Sequence, residues 1–278
     1  MSASEAARTT IKGATDCHIH IYGPPETYPL APTAPYPPPL ATVTQYRDVM
    51  TRLGLDRVII VQPAAYGTDN RCTMDAVADL GPDVARAVVV VTPETPRAEI
   101  RRLHDLGARS ARFFMMKGAV MTWDMLAPVA RLIADFGWSV QLQFNGRELP
   151  DHEHSIRRLP CAVVFDHIGK FIDPVIPDHP AAKTLFRLLE GGRVWVKASA
   201  PYETSREGPP FYEDIEPMAT ALIRAAPDRV VWATNWPHGG HKMKPDDGSL
   251  LGLMRRWCPD LKIQLKILVD NPSRLYEF

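Results

Sequence analysis

The chain has no excess of charge of either sign: 32 lysines and arginines stand against 32 aspartates and glutamates in 278 residues. A zero balance leaves no electrostatic footprint for nucleic acid or for an anionic membrane surface. Cysteine is scarce, and Cys17, Cys72, Cys161 and Cys258 never fall in a C-x-x-C spacing. That argues against a disulfide framework and leaves reduced, mostly buried thiols. No apolar run is long enough to cross a bilayer, and the opening MSASEAARTTIKGATD lacks the apolar stretch of a secretory signal. The expectation is a soluble, cytoplasmic protein with no nucleic-acid or membrane partner. No G-x-G-x-x-G follows an apolar run, so a dinucleotide-binding turn is missing too. One further absence concerns chemistry. The stretch RVVWATNWPH, residues 229–238, runs from a strand-like core into a polar tip. A base at that tip would be an aspartate, and the chain carries Asn235.

What is present is a rhythm. Short β-branched runs recur at residues 14–20, 57–63, 86–92, 109–114, 138–144, 162–167, 193–199 and 229–235. Helix-like segments lie between them, among them 44–53, 96–106, 123–136, 181–190 and 213–226. In 96–106, for instance, Ile100, Leu103 and Leu106 recur at helical spacing. Gly54, Gly107 and Gly137 follow three of these helices, in the place where a left-handed residue ends a helix. Near-continuous apolar strands alternating with helices predict a parallel sheet covered by helices. Eight such units close a TIM barrel, and we read residues 1–278 as a single (β/α)8 domain. The rival, an open doubly wound sheet, lacks its phosphate-binding turn. One connection is unusual: the proline-rich segment 22–41, which is either an extended wall or lid over the barrel mouth or a plain surface loop.

In such a barrel the C-terminal strand ends face the active site. His18 and His20 at strand one share a side, because a strand repeats every two residues. Strand two runs into Gln62 and the YGTDN stretch with Tyr66; strand four carries Arg112, with Lys117 beyond; strand five gives Gln143 and Asn145. Strand six ends in FDHIGK, supplying Asp166, His167 and Lys170. Strand seven supplies Lys197 and the YETSR stretch with Tyr202 and Arg206; strand eight supplies Asn235, then His238, His241 and Lys242. Singly each reads as packing or surface. Together, three histidines and cations from several strands are costly to bury unless they serve a ligand. The cations outnumber the acids at the expected mouth, so the ligand should be an anion, most simply a carboxylate. Two readings of the histidines stay open. His18, His20 and His167 either bind zinc, as His-x-His pairs do, or donate hydrogen bonds where a metal would otherwise sit.

The His-x-His of strand one, FDHIGK at strand six and WATNWPH at strand eight resemble the amidohydrolase superfamily. More narrowly they resemble its lactone-processing branch, which includes 2-pyrone-4,6-dicarboxylate lactonase and D-galactarolactone isomerase. YGTDN, REGPP, PDDG and VDNPSRLY also fit, so the resemblance runs through nearly the whole chain. It implies a (β/α)8 barrel and chemistry on a cyclic ester without a metal. In the lactonase a strand-eight aspartate activates water; the matching residue here is Asn235, so that role does not carry over. Arg112 matches one carboxylate-binding arginine of the lactonase, but Gly118 stands where a second is expected. Gln143 replaces a tyrosine, while Lys170 and Glu203 each replace an arginine. TNWPH, DHIGKF and YETSR are closer to the isomerase, which the resemblance implies also uses asparagine at strand eight.

The expected activity is therefore migration or hydrolysis of the ring ester of a small anionic, carboxylated lactone. His18, His20 and His167 would polarise the carbonyl, Asn235 would position the reacting oxygen, and His238 would move the proton. Arg112 and Lys170 would hold the carboxylate, with Lys117, Gln143, Lys197, Tyr202, Arg206 and Tyr66 around the substrate. The alternatives are a metal-independent hydrolase with His238 as base, a zinc hydrolase or decarboxylase using His18, His20 and His167, and a binding protein that has lost its catalytic aspartate.

Overall fold

The structure, a computed structural model, describes residues 11–278. Eight parallel strands run in sequence order: β1 (Thr15–Ile19), β2 (Arg57–Val61), β3 (Ala85–Val89), β4 (Ala108–Phe114), β5 (Ser139–Gln143), β6 (Val163–Phe165), β7 (Val194–Ser199) and β8 (Val230–Ala233). Helices α1 (Val43–Leu53), α2 (Arg71–Leu80), α3 (Arg97–Asp105), α4 (Trp123–Ala134), α5 (Leu149–Arg157), α6 (Pro180–Glu190), α7 (Glu216–Ala225) and α8 (Asp247–Trp257) alternate with them. Two short C-terminal helices follow, α9 (Leu261–Leu265) and α10 (Asn271–Tyr276), with one π-turn between them. This is the expected (β/α)8 barrel. Among the described residues, no helix is long and apolar enough to cross a membrane.

The strands are apolar on both faces because both are covered. Ile59, Val61, Val88, Val164 and Val231 fill the barrel, where Leu275 and Tyr276 of α10 join them as a plug. Their neighbours Val58, Ile60, Val89, Val163 and Val230 pack outward among the helices. Each such side chain contributes roughly 1.5–3 kcal/mol by leaving water. Helix α1 shows how the sequence sets an element: Thr42 and Gln45 exchange capping hydrogen bonds of 3.3 and 2.8 Å, and left-handed Gly54 ends it. Its buried Val43, Tyr46, Val49 and Met50 form one stripe facing the barrel.

The ring closes between β1 and the residues just past β8. Asn235 N donates to His18 O at 2.9 Å and His20 N to Trp236 O at 2.8 Å. Buried Asp16 fastens this seam, accepting from Thr234 N at 3.0 Å, Thr234 Oγ1 at 2.5 Å and Tyr46 Oη at 3.0 Å. Burial pushes its carboxyl up to about 6 in spite of these donors. The proline-rich segment is tied down by paired hydrogen bonds between Tyr22 and Ala41, both 2.9 Å. Its Tyr36 packs against Gly239, where a Cβ would lie only 2.1 Å from the Tyr36 hydroxyl, so a larger residue there would push the Tyr36 ring aside.

Candidate active site

The register of β1 against β2 slips by one residue between Asp16 and Ile19. Asp16 turns out toward Tyr46 of α1, while Cys17 joins the barrel interior and His18 reaches inward to Lys197. A bulge of this kind lets two successive residues serve one face. Below the mouth lies a polar floor. Lys197 Nζ donates to Cys17 O and Gln141 Oε1, both at 2.7 Å, and to His18 Nδ1 at 3.2 Å. Gln141 Nε2 donates to Asp166 Oδ2 at 3.1 Å, and Asp166 Oδ1 stands 3.4 Å from Lys197 Nζ.

These contacts fix the imidazole tautomers. His20 Nδ1 lies 2.8 Å from Val61 O, and a carbonyl only accepts, so the proton is on Nδ1 and Nε2 is a lone pair. Burial holds His20 down at about 3, and His18 and His167 also lie well below the usual imidazole range. His18 Nε2 therefore donates to His20 Nε2 at 3.3 Å, and its Nδ1 accepts from Lys197. The chain of donors runs from Lys197 through His18 and His20 to Val61. It leaves His20 no proton to offer a substrate. His167 differs: Nδ1 meets Ser199 Oγ at 3.0 Å, and Nε2 stands 4.0 Å from Glu203 Oε1 at the cavity wall.

Strands six to eight end in strained backbone. His167, Ile168 and Lys170 after β6, Ala200 after β7, and Asn235 and His238 after β8 all have φ between 46° and 63°. Non-glycine residues in this region each carry a penalty of order 1–3 kcal/mol and collect at functional sites. Left-handed Asn235 aims its Nδ2 at Tyr202 Oη, 2.9 Å away, and at Glu203 Oε1, 2.7 Å away. Glu203 Oε2 pairs with Lys170 Nζ. Burial brings the Lys170 ammonium down to about 8. Behind this layer Tyr202 Oη meets His238 Nδ1 at 2.9 Å, and His238 Nε2 meets Asp247 Oδ1 at 2.9 Å. Burial raises the Tyr202 phenol far above its usual range, so it stays a neutral relay.

Across the mouth, Arg112 is 3% exposed and donates to Gln62 O and, at 2.9 Å, to Gln143 Oε1. Its guanidinium stands over Phe114, 5.1 Å from the ring centre, and its Nε has no partner. No carboxylate of the described residues forms an ion pair with it. A buried, charged, partly unpaired guanidinium is a seat for an anion. The cavity between the two flanks measures about 230 Å³.

Of the residues the sequence singles out, His20, Arg112, Lys117, Gln143, His167, Lys170, Asn235 and His241 line the cavity. His18 and Lys197 form the floor beneath it. Tyr202 and His238 stand behind Asn235, and Tyr66, buried, accepts from Gly23 N at 3.1 Å. Arg206 lies outside, exposed and paired with Asp173. Among the other lining residues, Glu203 sits on a 3-10 turn, and Tyr22 and Tyr36 make the proline-rich segment a wall of the cavity, the first of the two readings given for it.

The buried histidine cluster already faces a cation of the protein's own. Among the described residues the ligand atoms that converge within 4.8 Å are those of His18, Asp166 and His167, a group without His20. Lys197 Nζ already stands 3.2 Å from His18 Nδ1 and 3.4 Å from Asp166 Oδ1, so the cation those two face is the protein's own. A divalent ion would add charge beside Lys197, Arg112 and Lys170.

An eight-stranded parallel barrel whose C-terminal mouth carries inward histidines and a buried anion seat defines a barrel enzyme site. The family model described as amidohydrolase matches residues 15–278, and the chain belongs to that family. It is 36% identical over 275 residues to a 2-pyrone-4,6-dicarboxylate hydrolase of Comamonas testosteroni, covering 95% of this chain and 90% of that one. It is 35% identical over 271 residues to a D-galactarolactone isomerase of Agrobacterium fabrum, covering 96% and 91%. An apo crystal structure from Agrobacterium tumefaciens superposes with a TM-score of 0.90 at 36% identity, covering 96% of both chains.

Proposed function

We propose that the protein acts on the ring ester of a small carboxylated lactone and moves that ester within the substrate, without a metal. The observation that carries this reading is buried Arg112, a cation without a carboxylate partner across the cavity from an amide that can only position, not deprotonate. Arg112 and Gln143 hold the substrate carboxylate, with Lys117 at the rim. His167, whose Nε2 faces the cavity, polarises the ester carbonyl. His18, His20 and Lys197 hold the floor rigid beneath it. Asn235 orients the attacking hydroxyl through its carbonyl oxygen, because both protons of Nδ2 are spent on Tyr202 and Glu203. Intramolecular attack needs no external water, and proximity supplies much of the acceleration. His238 acts through Tyr202 rather than on substrate. The hydrolase and isomerase relatives both support a lactone ring as substrate.

The test is proton NMR of chelator-washed protein incubated with galactarolactone and, separately, with pyrone dicarboxylate, alongside metal analysis. Ring migration without mass change is the expected result. Ring opening with addition of water would make the protein a hydrolase, and activity lost with the metal would overturn the metal-free reading.

A further inference from the structure

We propose that Glu203 is the acid–base residue of this site, the carboxylate that strand eight does not supply. The inference rests on the lactone reading above. Glu203 ends the 3-10 turn Pro201–Glu203, directly after left-handed Ala200, and that turn swings its side chain into the cavity. The side chain is 13% exposed, so it is shielded from bulk water yet open to a ligand. Three cavity residues converge on it: Asn235 Nδ2 at 2.7 Å, the Lys170 ammonium, and His167 Nε2 at 4.0 Å. An ionised carboxylate accepts about four hydrogen bonds, so two donors leave room for a substrate hydroxyl.

This arrangement explains the amide. An aspartate at position 235 would set a second carboxylate against Glu203 across the gap of 2.7 Å that the amide now bridges. Two carboxylates that close cannot both ionise. Asparagine offers a donor instead, and so fixes Glu203 while leaving it free to take a proton.

One carboxylate is enough for ester migration. The attacking hydroxyl oxygen bonds to the ester carbon and passes its proton to Glu203; the ring C–O bond then breaks, and Glu203 returns the same proton to the departing oxygen. Both oxygens are attached to one carbon in the tetrahedral intermediate, so a single group reaches both. No water, oxidant or second base enters the balance.

The experiment compares wild-type, Glu203→Gln and Glu203→Asp full-length proteins on galactarolactone across pH. General acid–base catalysis is worth about 10²–10⁴-fold, so kcat of Glu203→Gln should fall at least 100-fold with KM within about threefold, and the acidic limb of the pH profile should vanish. Glu203→Asp should keep that limb and lose less. Glu203→Gln turnover within tenfold of wild type, a retained acidic limb, or equal losses in both variants would overturn the assignment. Should Glu203→Gln fail to fold, the Glu203→Asp profile decides alone: loss of the limb would overturn it. Wild-type protein that leaves the lactone unchanged would instead overturn the substrate reading, and this assignment with it.

Discussion

The two flanks of the cavity are built differently. Beyond β6, β7 and β8 the chain is forced left-handed at His167, Ile168, Lys170, Ala200, Asn235 and His238. Just past β2 and at the ends of β4 and β5, the lining residues Pro63, Ala64, Ala65, Arg112, Phe114 and Gln143 adopt ordinary backbone. The strained flank holds the networked polar groups, Glu203, Asn235, Tyr202 and Lys170, each fixed by at least one partner within the layer. The relaxed flank holds Arg112 with its partner Gln143, Lys117 at the rim, and otherwise apolar or aromatic surface. Atoms that exchange a proton must be placed within tenths of an ångström, and backbone strain is one way to hold them. An anion seat tolerates more freedom, since charge acts over distance. The difference separates chemistry from recognition.

The sharpest way to break that division is Arg112→Met. Losing a buried charge that pairs with substrate costs about 2–5 kcal/mol, which predicts a fall in kcat/KM on the order of 10²–10³-fold, carried mainly by KM. Steady-state kinetics on the lactone decides it. An unchanged KM with a collapsed kcat would place chemistry on the relaxed flank and erase the contrast.

On the other flank, Asn235→Asp tests the pairing directly. A carboxylate beside Glu203 should raise the pair's apparent acidic limb by at least one pH unit and cut kcat at neutral pH about 10–100-fold. A gain in turnover would mean that the asparagine is a lesion.

A gentler test uses pH and stability. His20, held down at about 3, lends stability that is complete above its unfolded value near 6.5 and is lost as pH falls toward 3. Asp16, pushed up to about 6, works the other way: its contribution is present below 3.8 and is lost as pH rises through 6. The two slopes oppose one another between about pH 4 and 6. Removing the rising carboxyl by Asp16→Asn should steepen the increase of unfolding free energy with pH in that window by about 1 kcal/mol per unit. Urea melts at pH 4, 5 and 6 give the slope. Parallel curves for wild type and variant would show that the seam carboxyl does not titrate there.

Much of this molecule could be read from its sequence, for identifiable reasons. All eight strands announce themselves because parallel strands covered on both faces are nearly continuous apolar runs, as in VIIV of β2. Helices α2 and α5 are less legible: RCTMDAVADL and LPDHEHSIR are short and mix polar residues into their buried stripe. His18 and His20 could be placed on one side by strand periodicity, but the bulge that brings Cys17 inward with them leaves no mark in the sequence. Glu203 is marked only by the resemblance, as a residue standing in place of an arginine, and its setting hides which way it turns. Tyr202, Glu203 and Arg206 share a loop, where no period says which side chain turns inward; the 3-10 turn after Ala200 turns Glu203 in, while Arg206 stays outside. Lys170 looked like a free substrate cation because its partner is 33 residues away.

That misreading of loop residues sets the smallest expected effect. Arg206 stands outside the cavity, its side chain 72% exposed, and pairs with Asp173, itself 53% exposed. Exposed pairs of this kind contribute little because water and salt screen them. Arg206→Ala should leave kcat and KM within about twofold of wild type, while Arg112→Met, another loss of one arginine, removes most of the activity. Measuring both variants in the same salt series separates a seat for the substrate from general attraction by surface charge. A large KM increase for Arg206→Ala that fades as salt rises would show that the rim steers the anion inward, and recognition would then extend beyond the relaxed flank to the loop that carries Glu203.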